Sequence, residues 1–300
     1  MDMLILNHIS KRFGEKQVLN DVCFSVKKNT VFGFAGENGA GKTTAMKLIL
    51  GLLRPDGGEI LVNGERVSYG ANKTNRFIGY LPDVPGFYGY MTAAEYLFFC
   101  GEISGMKKSV ALARTEELLR MVGLENGKKR IQGFSRGMKQ RLGIAQALIN
   151  RPLLLICDEP TSALDPVGRK EIIDILARAK EHTTVLFSTH ILSDAERICD
   201  DVAFLHGGQI TLRGSVAELR SLRRTGSFII EFQSSVHAET VLCAFPEGRR
   251  SGASGLIFTD PRQPCMKDVM RFMAENGIEP LKLEKLEPDL ESLFMEAAGR

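Results

Sequence analysis

Residues 31–53 read VFGFAGENGAGKTTAMKLILGLL, and two changes of pattern inside them decide the fold. VFGFA has the Val and Phe content of a strand. GENGAGKT, 36–43, matches G-x-x-x-x-G-K-[ST]. AMKLILGLL then carries apolar residues at helical spacing until RPDGG ends the run. A strand, a Gly-rich loop and a helix in that order form a cradle for phosphate. Gly36, Gly39 and Gly41 lack a Cβ, so the backbone is expected to wrap an anion at positive φ and aim its N–H groups inward. A helix starting near Lys42 adds the positive end of its dipole. Lys42 is expected to bridge β- and γ-phosphates, and the Thr43 hydroxyl to ligate Mg²⁺. The expected nucleotide-binding loop is therefore Gly36, Glu37, Asn38, Gly39, Ala40, Gly41, Lys42, Thr43 and Thr44.

A second half of the site lies downstream. LLLICDEP, 153–160, is an apolar run ending in two acids, and the carboxyl ends of such strands are where ligands bind in α/β sheets. Asp158 is expected to hold Mg²⁺ through water, and Glu159 to act as general base toward the attacking water. FSTH, 187–190, closes the next strand-like run, which puts His190 within reach of the terminal phosphate. FSRGMKQRL, 134–142, starts a helix with Ser135 as a natural N-cap, and the amides near Gly137 and Met138 suit an anion. One phosphate loop already supplies a helix N-terminus, so this second one is expected to cap a nucleotide held by another copy of the chain.

The whole chain has 300 residues, 44% hydrophobic and 25% charged, enough for one large domain and a small one. A net charge of +3 is too mild for a nucleic-acid partner. Six cysteines without CxxC spacing read as reduced thiols rather than disulfides or zinc ligands. The N-terminal MDMLILNHIS does not read as a signal peptide, and no apolar run reaches the ~18 residues of a membrane span. EILVNGERV reads as a hairpin with an Asn-Gly turn. The stretch from about 89 to 150 is helical, through TAAEYLFFCGEI, ALARTEELLRMVGL and GMKQRLGIAQALI. Strands at LLLICD and TVLFST, alternating with helices, imply a mainly parallel sheet. SLRRTGS, 221–227, is polar and basic and marks a linker. The rest, 228–300, carries SFIIEFQ, GLIFTD, CMKDVMRFMAENG and a last helix DLESLFMEAAG, a small α+β module.

Taken in order, GENGAGKTT, a Pro-bracketed turn, FSRGMKQRL, LLLICDEP, SALD and STH resemble the nucleotide-binding subunit of an ATP-binding cassette (ABC) transporter over residues 3 to 218. The resemblance implies an α/β P-loop NTPase core with an antiparallel β subdomain and a helical subdomain, in domain 1–220. It implies ATP and Mg²⁺ as cofactors, and a head-to-tail dimer with each ATP between the loop of Lys42 and the partner's Ser135 and Gly137. It places Asp165, in SALD, at the dimer interface and Phe13, in KRFG, against adenine. A separate membrane-spanning permease is implied as well, with the chain cytoplasmic and peripheral on the inner face of the membrane. Phe87, Tyr88 and Tyr90 are the expected docking aromatics.

Two departures stand out. IGYLPDVPG, 78–86, puts Asp83 where the family usually has Gln, and a carboxylate is shorter and cannot donate when ionised. Asp83 is nevertheless expected to tie the γ-phosphate and Mg²⁺ to this turn. In the signature, Arg136 replaces a usual Gly and Met138 a usual Gln. SRGMKQ, the acid at position 83 and the tail LEPDLESLFMEAAG resemble bacterial exporters of antibiotics and lantibiotics. The alternative is a soluble ATPase of the same family acting on ribosomes or nucleic acid, but those usually carry a second cassette or a long coiled-coil insertion.

Overall fold

The computed structural model describes residues 1–70, 72–124, 127–222, 227–259, 264–286, 290 and 293–294. In chain order come β1 (Asp2–Phe13), β2 (Lys16–Lys27), β3 (Val31–Gly36), α1 (Lys42–Ile49), β4 (Gly57–Val62), β5 (Glu65–Arg66) and β6 (Ile78–Leu81). Next are α2 (Ala93–Ile103), α3 (Lys108–Met121), α4 (Arg136–Ala147), β7 (Leu154–Cys157), α5 (Pro166–Ala179), β8 (Thr184–Thr189), α6 (Leu192–Ile198), β9 (Asp201–His206) and β10 (Gln209–Ser215). After α7 (Val216–Leu222) follow β11 (Phe228–Phe232), α8 (Ser235–Ala244), β12 (Arg249–Ser251), β13 (Gly255–Phe258), α9 (Met266–Glu275) and β14 (Pro280–Lys285).

β3, β7 and β8 are buried at every residue, as expected for strands covered on both faces. They sit inside a six-stranded sheet of order β10-β9-β3-β8-β7-β6, parallel except for the β9–β10 edge pair. Alternation along each strand sends side chains to two cores. Phe32, Phe34, Leu154, Ile156 and Leu186 pack with α1 and the four-stranded antiparallel sheet β2-β1-β4-β5. Val31, Leu155, Cys157, Val185 and Phe187 face the other way, toward α5 and the helical group α2–α4. Burial pushes the Cys157 thiol up, well out of the range where it would ionise, and all six cysteines are free.

Local chemistry sets the ends of these elements. Asn63 and Gly64, at φ 49° and 80°, make the expected turn between β4 and β5. Thr92 and Glu95 form a capping box at the start of α2, and Asp165 caps α5 with Pro166 behind it. Gly79 of β6 lies so close to α4 that a Cβ there would stand 2.0 Å from the Ala147 carbonyl oxygen.

The chain divides into two compact units, Met1–Val216 and Ala217–Leu293, with Phe294 counted among the first. The division falls at the start of α7, whose last two residues, 221 and 222, are the first of the polar stretch 221–227 expected to be a linker. The second unit holds an antiparallel sheet of order β12-β13-β11-β14, with Phe228, Ile230 and Phe258 in one core with Val269 of α9. Phe294 stacks on Phe204 of β9 with ring centroids 5.4 Å apart. Most of the expected last helix, DLESLFMEAAG, lies outside the described residues. No helix among the described residues is long and apolar enough to cross a membrane.

Gly79→Ala tests the closeness of β6 and α4. With a backbone carbonyl in the way, the helix must lift, and urea unfolding is expected to show a loss of about 1–3 kcal/mol.

Candidate nucleotide site

The loop from Gly36 to Gly41 leaves the carboxyl end of β3 and enters α1. Gly39 and Gly41 take the expected positive φ, 81° and 113°. Gly36 does not, and its reason is different: a Cβ there would lie 2.5 Å from the carbonyl oxygen of Leu205 on neighbouring β9. At Gly41 both reasons apply, since a Cβ would also meet Leu19 at 2.9 Å. No side chain caps α1, so its first turn of amides faces the loop. Thr43 is exposed at this end and Thr44 is half-buried.

Lys42 is 5% exposed, and its ammonium donates to the carbonyls of Gly36 at 2.7 Å and Glu37 at 3.1 Å. Its third partner is Glu159 Oε1, at 2.9 Å. The other Glu159 oxygen, Oε2, lies 2.7 Å from His190 Nδ1. Asp158, only 2% exposed, accepts a 2.7 Å bond at Oδ1 from the Ser188 hydroxyl. That same hydroxyl accepts the Glu159 N–H at 2.9 Å, while Glu159 sits at φ 49°. A left-handed non-Gly residue is sparsely populated backbone, and Ser188 helps hold it there. Thus Lys42, Asp158, Glu159 and His190 come together at the ends of three adjacent strands. Ser188 was missed by sequence reasoning. FSTH contained it, but its role depends on β7 and β8 being neighbours.

The other expected residues lie around this cluster. Ser135 caps α4 by accepting from Met138 N at 3.2 Å, and Gly137 lies beside Leu164. Phe13 is 47% exposed at the end of β1, with the Lys11 ammonium 5.3 Å from its ring centre. Asp83 follows β6, whose Leu81 pairs with Cys157 in parallel, so it leaves the sheet at the same end as Asp158. Among the described residues, no hydrogen bond or ion pair joins Asp83 to Lys42 or Glu159. Its carboxylate instead lies 3.7 Å from Arg136, and its carbonyl accepts from Gln140 Nε2 at 2.9 Å. Nearby Tyr80 has its phenol pushed up to about 12, first by burial and then by the carboxylates of Asp158 and Asp83, so it remains a neutral donor. Of the docking aromatics, Phe87 turns inward, edge-on to Tyr96 at 5.2 Å. Tyr88 and Tyr90 remain 51% and 61% exposed.

The donor set fits the groups the sequence implied. Glycines leave room for an anion beside an ammonium, and the hydroxyl of Thr43 with the carboxylate of Asp158 offers the hard oxygen donors that Mg²⁺ prefers. Comparison with known proteins agrees. The ABC transporter family profile matches residues 19–162. An uncharacterised ABC transporter ATP-binding protein of Bacillus subtilis, YxlF, is 43% identical over 98% of both chains. The chain belongs to the ABC transporter family. Another member, the bacitracin transport ATP-binding protein BcrA of Bacillus licheniformis, is 36% identical, covering 97% of this chain and 95% of its own. A solved ATP-binding subunit of an ABC transporter aligns with TM-score 0.65 and 34% identity, covering 73% of this chain and 92% of that one. The fold is that of an ABC ATPase, and as a family member the chain is an ATP-binding ATPase subunit.

Ser188→Ala removes one hydroxyl that serves both acids. The Asp158 oxygen then loses its donor in a buried place, and urea unfolding is expected to show a loss of about 1–3 kcal/mol. ATPase turnover measured alongside is expected to fall.

Proposed function

We propose that the chain is the ATP-hydrolysing motor of an exporter whose membrane-spanning permease is a separate chain. The observation that carries the hydrolytic reading is the continuous linkage from Lys42 through Glu159 to His190. In it, one carboxylate is positioned by both a phosphate-loop ammonium and an imidazole. Phosphate oxygens entering the loop compete for the Lys42 ammonium and free Glu159 Oε1 to take a proton from the attacking water. His190, still bonded to Oε2, keeps that carboxylate aimed. Mg²⁺, held by Thr43 and Asp158, supplies neutralisation of phosphate charge when bound. Ser135 and Gly137 close over the nucleotide of a second copy, and Phe13 stacks on adenine.

Export and a separate permease rest on other grounds. BcrA, named for bacitracin transport, matches along nearly its whole length. No described helix suits a membrane span. The exposed Tyr88 and Tyr90, whose rings are 5.9 Å apart, sit on the turn that follows Asp83 and offer a docking surface. The chain accordingly works at the inner membrane face through that partner. The first experiment is to tag it in its native cell and identify what co-purifies in mild detergent. A polytopic membrane protein in stable ratio is expected; recovery with ribosomes or nucleic acid would overturn the transport reading.

Glu159→Gln keeps the shape of the side chain and removes its basicity. ATP binding is expected to survive, while hydrolysis falls by about 10²–10⁴-fold, the usual share of a general base. Turnover equal to the wild type would remove Glu159 from that role.

A further inference from the structure

One face of α4 is fitted to β6 and the turn behind it at four successive points. Ala147 lies under Gly79, where a Cβ would approach its carbonyl oxygen to 2.0 Å. Gly143 lies against the turn itself: a Cβ there would stand 2.5 Å from Leu81 Cδ1 and 3.4 Å from Pro85. Gln140, 1% exposed, donates its side-chain amide to the Asp83 carbonyl at 2.9 Å. Arg136 then lies 3.7 Å from Asp83 Oδ1. Positions 136, 140, 143 and 147 are spaced by four, three and four residues, which is one stripe of an α-helix. Asp83 Oδ1 is shielded from water and accepts no hydrogen bond among the described residues, so the Arg136 guanidinium is the counter-charge facing it. The two departures from the family pattern therefore face each other across 53 residues of sequence, the difference between 136 and 83.

We propose that Arg136 is a positioning residue that joins the Asp83 turn to the N-terminus of α4, and so couples the two ATP sites of a dimer. This rests on the function proposed above. Asp83 leaves the sheet at the end that carries Asp158 and is expected from the sequence to respond to the nucleotide held by its own protomer. Ser135 and Gly137, the residues on either side of Arg136, cap the nucleotide of the other. A shift of the turn carries the start of α4 with it, because the glycine contacts leave no slack between helix and strand and the ion pair links the turn to the end that bears Ser135. Without Arg136 the stripe still holds at Gln140, Gly143 and Ala147, so the helix stays packed while its first turn is released.

The test is ATPase activity of the full chain against ATP concentration, for the wild type, Arg136→Gln, Arg136→Lys, Asp83→Asn and the Arg136→Gln/Asp83→Asn pair. The wild type is expected to be cooperative. Arg136→Gln is expected to bring the Hill coefficient toward 1 while maximal turnover stays within about twofold. Arg136→Lys, which restores the charge, is expected to recover the cooperativity. In the double-mutant cycle on ATP half-saturation, the two positions are expected to be coupled by about twofold to fivefold, the range of a partly exposed ion pair. Independent, multiplicative effects of the two substitutions would overturn the proposal. So would an unchanged Hill coefficient in Arg136→Gln, or a wild type that hydrolyses ATP without cooperativity; the hydrolytic reading would survive all three. A wild type that neither binds nor hydrolyses ATP would remove both.

Discussion

A lysine ammonium withdrawn from water must be matched by oxygens, and Lys42 is matched by three. Two belong to the backbone of its own loop and one to Glu159. Buried charge is expensive unless paired and hydrogen-bonded, so this arrangement constrains much of what surrounds it. The loop must curl back on itself to present the Gly36 and Glu37 carbonyls. β7 must lie where Glu159 can reach across from its carboxyl end, and β8 must run between β7 and β3 to bring Ser188 and His190 alongside. The order β3-β8-β7 meets those demands, and the fully buried strands keep the three ends in register.

How much of this can be read along the chain depends on how far each contact reaches. The phosphate loop, the Ser135 cap and the Asn63–Gly64 turn are local, and their residues announce them. Asp158 and Glu159 are equally visible as acids ending an apolar run. Ser188 is not, because its two bonds cross from one strand to another. Gly36 shows the same limit: a glycine in the loop motif suggests positive φ, whereas the actual demand is the nearness of Leu205 on another strand. Phe87 and Tyr88 are adjacent aromatics of similar size, and only tertiary packing separates the half-buried ring from the exposed one. The polar, basic stretch 221–227 suggested a linker, but helix α7 takes in its first two residues.

Hydrogen bonding and close packing do different work along α4. The glycines at 79 and 143 fix how near the helix approaches the sheet, a constraint of shape that neither salt nor pH relaxes. Gln140 and Arg136 fix where the turn of Asp83 sits along that helix, and the half-exposed charge pair is the softer of the two. A rigid base with a soft tip is a sensible design for an element that must stay packed while its first turn responds to a ligand.

The stacking of Phe294 on Phe204 bears on how the chain is made. Phe204 lies in β9 and is fully buried, yet one of the rings covering it is encoded 90 residues later, the difference between 294 and 204. During synthesis at about 5–20 residues per second, β9 therefore waits several seconds for that cover. Throughout that interval the ATPase unit leaving the ribosome has an unfinished apolar patch beside its edge strand. A ring translated long after β9 thus completes the surface of the unit to which β9 belongs.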